Sequence, residues 1–162
     1  MKEIEYRKAE AEDIFLYYEW ANDEEVRKCS YQQNKIIFED HSKWFEKKIN
    51  DPKSLLLIFF LKTEGEAIGQ VRITLVSDAE AIIGISIDKK FRGYGFSSKM
   101  IESAVDHYHS IHPNVAVYAY IKKDNISSQK SFQCAGFIDF VEITYLDIPS
   151  YRAVKHDKDR TL

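Results

Sequence analysis

The stretch that most constrains the fold is Ile85-Ser86-Ile87-Asp88-Lys89-Lys90-Phe91-Arg92-Gly93-Tyr94-Gly95-Phe96-Ser97-Ser98. An apolar run of strand character leads into two glycines one residue apart, and an amphipathic helix starts after them. Such a turn presents several backbone N–H groups beside the positive end of a helix, which makes an anion site. Gly93 and Gly95 let the backbone approach a diphosphate with no Cβ in the way, or take positive φ cheaply. The segment is therefore expected to hold a phosphate-bearing cofactor, with Arg92, Gly93, Tyr94, Gly95, Phe96 and Ser97 as its binding residues.

The rest of the chain alternates strands and helices around this turn. Residues 4–8 alternate and predict an edge strand. Asp13 is expected to cap a helix from Ile14 to Trp20, and Asn22-Asp23-Glu24-Glu25 to start a second short one. Phe38, His41, Phe45, Lys48 and Ile49 recur at three and four, with Trp44 beside them, which predicts a helix over 38–49. Asp51-Pro52 ends it. Residues 55–61, 67–76 and 81–87 read as three strands, with turns at Glu64-Gly65 and Ser77-Asp78. Met100, Ile101, Ala104, Val105 and Tyr108 mark one apolar face of the helix after the glycines. Val115, Val117 and Ala119 alternate as a further strand. Asn125 to Ala135 reads as a helix, with Asn125 its N-cap and Gly136 beyond its end. Strands near 137–145 and 151–155 complete the pattern, and 156–162 are expected to fray.

Composition excludes several classes. At 162 residues and 44% hydrophobic content the chain can bury a core as one domain, 1–162. A net charge of −3 gives no sign of a nucleic-acid surface. No run approaches the length of a membrane span, and Met1-Lys2-Glu3-Ile4-Glu5 lacks the apolar centre of a signal peptide, so a cytoplasmic protein is expected. Cys29 and Cys134 are too few for a disulfide framework, and no histidines and acids show metal-ligand spacing. No metal is expected. His107, His109 and His112 read as surface residues.

Gly93-x-Gly95-x-x-Ser98 comes near the dinucleotide fingerprint, but that fingerprint opens a βαβ unit, whereas a run of sheet strands precedes this turn. Lys90-Phe91-Arg92-Gly93-Tyr94-Gly95 instead resembles the acetyl-coenzyme A signature of the GNAT N-acetyltransferases, with Lys90 where Arg or Gln is usual. Asn125-Ile126-Ser127-Ser128-Gln129-Lys130-Ser131-Phe132-Gln133-Cys134-Ala135-Gly136-Phe137 resembles the second signature of that family. The resemblance covers nearly the whole chain. It implies an α/β (α+β) GNAT fold: a mixed, mostly antiparallel sheet of about seven strands, flanked by about four helices and splayed at strands 4 and 5. It also implies acetyl-coenzyme A as cosubstrate. The N–H groups of Ile85 and Ile87 would hold the pantetheine and polarise the thioester carbonyl. Asn125 would hydrogen-bond the pantetheine arm, and Ser128 would let it lie close to the helix.

The same resemblance leaves the proton chemistry open. Many relatives place a tyrosine seven residues after the Asn as donor to the leaving thiolate, and Phe132 stands there. A thiolate can leave unprotonated, or Tyr118, Tyr120 or Ser131 can substitute, or the protein binds the cofactor without efficient turnover. Glu80 and His41 are the candidate bases, although related sugar N-acetyltransferases carry their Glu where Ile82 stands.

For the acceptor, Trp20, Asn22, Arg27, His41 and Trp44 fall in the first fifty residues, where the family takes its amine. Arg27 could grip a diphosphate and the tryptophans could stack on a sugar or a base. Equally, the tryptophans are core and Arg27 is a surface ion-pair partner. The pattern is closest to enzymes acetylating amino-sugar nucleotides of the pseudaminic acid pathway type. Acetylation of ribosomal or other protein N-termini is the alternative, and a non-catalytic coenzyme A-binding protein the third reading. The expected partner is a small-molecule amine, with no nucleic acid and no membrane. The C-terminal strands are candidates for pairing in a homodimer.

Overall fold

The computed structural model describes residues 2–158. Its elements are β1 (Ile4–Lys8), α1 (Ile14–Ala21), α2 (Glu24–Cys29), α3 (Phe38–Ile49), β2 (Ser54–Leu61), β3 (Ala67–Leu75), β4 (Glu80–Ile87), α4 (Phe96–Ile111), β5 (Ala116–Lys122), α5 (Ile126–Cys134), β6 (Ile138–Tyr145) and β7 (Ile148–Lys155). Short 3-10 turns, Ala11–Asp13 and Lys89–Phe91, precede α1 and the glycines. Among the described residues there are five α-helices, and α2 starts where a second short helix was expected, because the Asp23 carboxylate accepts the N–H groups of Glu25 and Val26. Of the tail expected to fray, 159–162 lie outside the described residues, while Lys158 pairs with Asp106 at 3.4 Å.

The seven strands form one mixed sheet in the order β1-β2-β3-β4-β5-β7-β6. β1 lies at the edge, as its alternation predicts. β4 and β5 run parallel, whereas β1 with β2, β5 with β7 and β6 with β7 run antiparallel. The β4–β5 register pairs Glu80, Ala81 and Ile82 with Ala116, Val117 and Tyr118 and goes no further. The short parallel ladder is the expected splay. β7 begins three residues before the expected start, since Leu146 and Asp147, both at positive φ, make a tight two-residue hairpin from β6.

The chain divides into two compact units. The first runs to Arg72 and takes in Ile85–Tyr94; the second comprises Ile73–Gly84 and the chain from Gly95 on. In the first, β2 is apolar along its length and buries Leu56 and Ile58 against Tyr17 and Trp20 of α1 and Phe45 of α3. The apolar stripe of α3 meets the expected bounds because its period leaves only one face able to join that core. Asp13 does not cap α1: its carboxylate takes the Arg7 guanidinium at 2.8 and 3.0 Å and the Glu10 N–H at 2.7 Å. A charged partner outcompetes a helix N–H for an acid in this place.

In the second unit Met100, Ile101, Ala104, Val105 and Tyr108 of α4 are all buried, the face that their spacing predicts. His109 is buried as well, against the surface position expected for it, and its Nε2 donates to the Val115 carbonyl at 2.8 Å. Phe132 of α5 is buried edge-on to Phe137, with ring centroids 4.9 Å apart.

Candidate active site

The glycine segment is built as its sequence demands. Asp88 closes a small turn by accepting the Lys90 N–H at 3.0 Å, and Gly93 and Gly95 sit at φ of 83° and 80°. Only glycine takes that conformation without strain. Nothing lies within 4 Å of where a Gly93 Cβ would be, and Gly93, Tyr94 and Gly95 are exposed. Gly95 is the N-cap of the sixteen-residue α4 and supplies no side-chain bond, and the first turn of α4 holds no acid. The contrast with α2 and α5, capped by Asp23 and Asn125, is instructive. Those helices carry a side-chain cap, whereas α4 starts without one, the kind of terminus at which an anion is favoured.

The backbone of β4 supports the same use. Asp88 N–H bonds to the Ile68 carbonyl on β3, so by strand alternation Ile87 and Ile85 turn their peptide groups away from β3. The ladder with β5 has ended by then, at Ile82. The Ile87 carbonyl on that side accepts Arg92 Nε at 3.2 Å. Arg92 also ion-pairs with Asp23 at 2.6 Å, so the arginine of the loop is tied to the N-cap of α2. Burial alone would raise the Asp23 carboxyl, but Arg92 and the N–H groups of Val26 and Glu25 hold it below the usual carboxylate range.

The residues singled out for the acceptor are mostly engaged in the first unit itself. Trp20 is only 3% exposed, lies in the core, and donates Nε1 to Asp88 at 3.0 Å, so it offers no face for stacking. Asn22 clamps Ile36, donating to its carbonyl and accepting its N–H, both at 2.8 Å. Arg27 binds no acid. It donates to the carbonyls of Ala21, Gln32 and Asn34 and to Ser30 Oγ, so it staples the loop after α2 rather than reaching for a diphosphate. Trp44 is half-buried, with the Arg72 guanidinium 5.9 Å from its ring centroid.

His41 is 2% exposed among the rings of Tyr18, Phe38, Trp44 and Phe45, with Nε2 2.9 Å from the Ile14 carbonyl. A carbonyl only accepts, so Nε2 carries the hydrogen. Burial pushes this imidazole down, and the Ile14 bond opposes only in part; burial lowers His109 likewise. The sign follows from linkage. A histidine whose folded value lies below its unfolded value of about 6.5 contributes stability above that pH and loses it as pH falls. The melting temperature is therefore expected to be level from about pH 8 to 7 and to fall from about pH 6.5 downward. A melting curve that does not move between about pH 7 and 5 contradicts the buried neutral histidines.

In the second unit Glu80 opens β4 and meets Arg152 of β7 at 3.4 Å. The Arg152 guanidinium lies 3.9 Å over the Tyr118 ring, and its Nε is buried with no hydrogen-bond partner. Glu80, Tyr118 and Arg152 thus form one cluster beside the end of the β4–β5 ladder. Tyr120 stacks on Tyr145 at 4.3 Å. Asn125 accepts the Ser128 N–H at 3.2 Å, which assigns its Oδ1 to the helix cap and leaves its amide free to donate. Ser97 and Ser131 hydroxyls meet at 2.6 Å. Among the described residues no three His, Cys, Asp or Glu side chains gather to hold a metal ion, and no helix is long and apolar enough to cross a membrane.

Sequence reading missed Arg152 and the pair Gln70 and Arg72. A signal was present for the latter: in Gln70-Val71-Arg72-Ile73-Thr74 polar side chains alternate with buried apolar ones inside a strand.

No curated protein sequence matches the chain. Solved structures do. Spermidine N-acetyltransferase from Vibrio cholerae, in complex with CoA and spermine, is 17% identical over 94% of each chain, with a TM-score of 0.84. Aminoglycoside acetyltransferase AAC(6')-Ib in complex with coenzyme A is 17% identical over 95% of each chain, with a TM-score of 0.80. Its complex with ribostamycin and coenzyme A gives 0.82 over 98% of each. At these identities the likeness is one of fold, and none of these structures is of the pseudaminic acid pathway type. The sequence itself goes further, because the family model described as an acetyltransferase (GNAT) domain matches residues 3–138. With the glycine loop, the open helix terminus and the early end of the β4–β5 ladder all inside that match, the chain belongs to the GNAT acetyltransferase family and is an acyltransferase.

Proposed function

We propose that this chain, as one catalytic domain, transfers the acetyl group of acetyl-coenzyme A to the primary amine of a small molecule, with an amino sugar on a nucleotide as the acceptor. The observation that carries the donor half is the uncapped N-terminus of α4 behind two positive-φ glycines, with open space at Gly93. A helix N-terminus with no side-chain cap and no acid in its first turn suits a pyrophosphate. The coenzyme A-bound structures of the same fold agree with that donor.

When bound, acetyl-coenzyme A supplies an activated acetyl thioester. The chain's part is positioning and charge. The amides of Gly93 to Ser97 hold the phosphates, and the Ile85 and Ile87 N–H groups are aimed to polarise a carbonyl beside β4. Asn125 has its amide N–H groups left for the pantetheine arm after capping α5. Glu80 is the candidate base, taking the amine's proton on a carboxylate oxygen directly or through water, with Arg152 fixing the carboxylate. Tyr118 offers the nearest phenol in that cluster for a proton donor, since Phe132 has none to give. His41 as base is disfavoured by its bond to Ile14.

Release of free thiol from acetyl-coenzyme A, followed with a chromogenic trap, tests the reading against a panel of amines. The panel holds UDP- and dTDP-linked 4-amino-6-deoxy sugars, peptides with free N-termini, spermidine and kanamycin. Release with an amino-sugar nucleotide alone is the expected result. Release with peptides only moves the protein to N-terminal acetylation, and silence throughout with cofactor binding intact makes it a coenzyme A-binding protein.

A further inference from the structure

Two polar residues of β3 have chemistry that the fold does not use. Gln70 and Arg72 are two apart in a strand and so share one face. Gln70 is 3% exposed; its Nε2 donates to Ser86 Oγ at 3.1 Å, but its Oε1 is buried without a hydrogen-bond partner. Arg72 makes no hydrogen bond and no ion pair among the described residues. Its guanidinium stands over Trp44, and the residue as a whole is half-buried.

The surroundings do not neutralise it. Burial pushes the Arg72 guanidinium down, Tyr17 opposes, and the Arg27 cation adds to the depression; no carboxylate acts on it. Arg27 itself donates only to carbonyls and a hydroxyl. Removing a charge from water without a counter-charge is costly. A structural arginine in such a place is normally ion-paired, as Arg7 is with Asp13. A guanidinium of a half-buried residue, unpaired and braced on an indole, is instead suited to receive an anionic oxygen group, which its fork fits bidentately. The orphan Gln70 Oε1, on the same face of β3, is an acceptor able to take an N–H or O–H.

We propose that Arg72, with Gln70 and Trp44, is the acceptor-specificity site, and that the acceptor amine carries a carboxylate or phosphate which Arg72 binds. The proposal rests on the acyl-transfer reading above and narrows it to amines bearing an anion, as opposed to polycations such as spermidine.

The variant Arg72→Met keeps the stem and removes the fork. In the thiol-release assay its KM for an anion-bearing amine is expected to rise about 10- to 100-fold, the worth of a charged hydrogen bond pair, with a much smaller fall in kcat. Its KM for spermidine falls, because a like charge has gone. Its melting temperature holds or rises, since an unpaired buried cation has been removed. A separate arm needs no turnover. With coenzyme A saturating the cofactor site, inorganic pyrophosphate or succinate raises the melting temperature of the wild type and not of Arg72→Met, and whichever acts tells phosphate from carboxylate. That result with no amine accepted supports the anion site while refuting acyl transfer. Equal shifts in both proteins overturn the proposal. So does a destabilised Arg72→Met with unchanged KM, which marks a structural arginine.

Discussion

Gly95→Val is expected to abolish coenzyme A binding, with affinity falling at least about 100-fold in calorimetric titration. Two effects act together. Gly95 holds φ of 80° and ψ of 12° as N-cap of α4, a conformation that costs an L-residue roughly 1–2 kcal/mol and a β-branched one more. The valine relieves that strain by moving the first turn, which carries the N–H groups of Phe96 and Ser97. The isopropyl group also fills space that a pyrophosphate must enter to reach them. Phe96 is itself buried, but the larger part of the buried face, from Met100 to Tyr108, lies at least a turn further on and anchors the rest of the helix, so circular dichroism should stay close to wild type. A Gly95→Val protein that titrates like the wild type would falsify the cofactor assignment of this loop.

Trp20→Ala carries the second large effect, on stability and not on acceptor affinity. Truncating a buried tryptophan costs about 3–5 kcal/mol. Trp20 packs with Tyr17, Phe45, Leu56 and Ile58, and its Nε1–H also satisfies Asp88 at the start of the glycine turn. For a chain of this size the melting temperature should drop by about 10 °C or more. Trp20→Phe retains most of the packing and should lose far less. Were the indole instead a platform for a sugar or base, Trp20→Ala would raise KM and leave the melting temperature in place. That pattern would remove Trp20 from the core.

Much of this was legible in residue order because it depends on local chemistry. The strand, the two glycines and the helix start follow from propensity and φ requirements inside fourteen residues. The bounds of α3 and the buried face of α4 follow from a 3.6 period that only one face can satisfy. The roles of the acceptor residues were not legible. Arg27 could be a diphosphate grip or a staple, and only the carbonyls of Gln32 and Asn34, brought back by the loop after α2, make it a staple. His109 has the same sequence context as a surface histidine. The Val115 carbonyl, beyond the end of α4, gives it a buried partner.

The sequence by itself determined where the chain turns, which faces are apolar, and where two glycines precede a helix start. Those properties belong to single residues and their neighbours within a turn or two. Tertiary structure decided which charges are answered and which are not. Arg7 found Asp13 and Arg92 found Asp23, whereas Arg72 found only the face of Trp44. A salt bridge depends on two side chains meeting within about 4 Å across elements far apart in sequence. No spacing rule reports that a partner is missing, so the unanswered arginine could be recognised only in the folded chain.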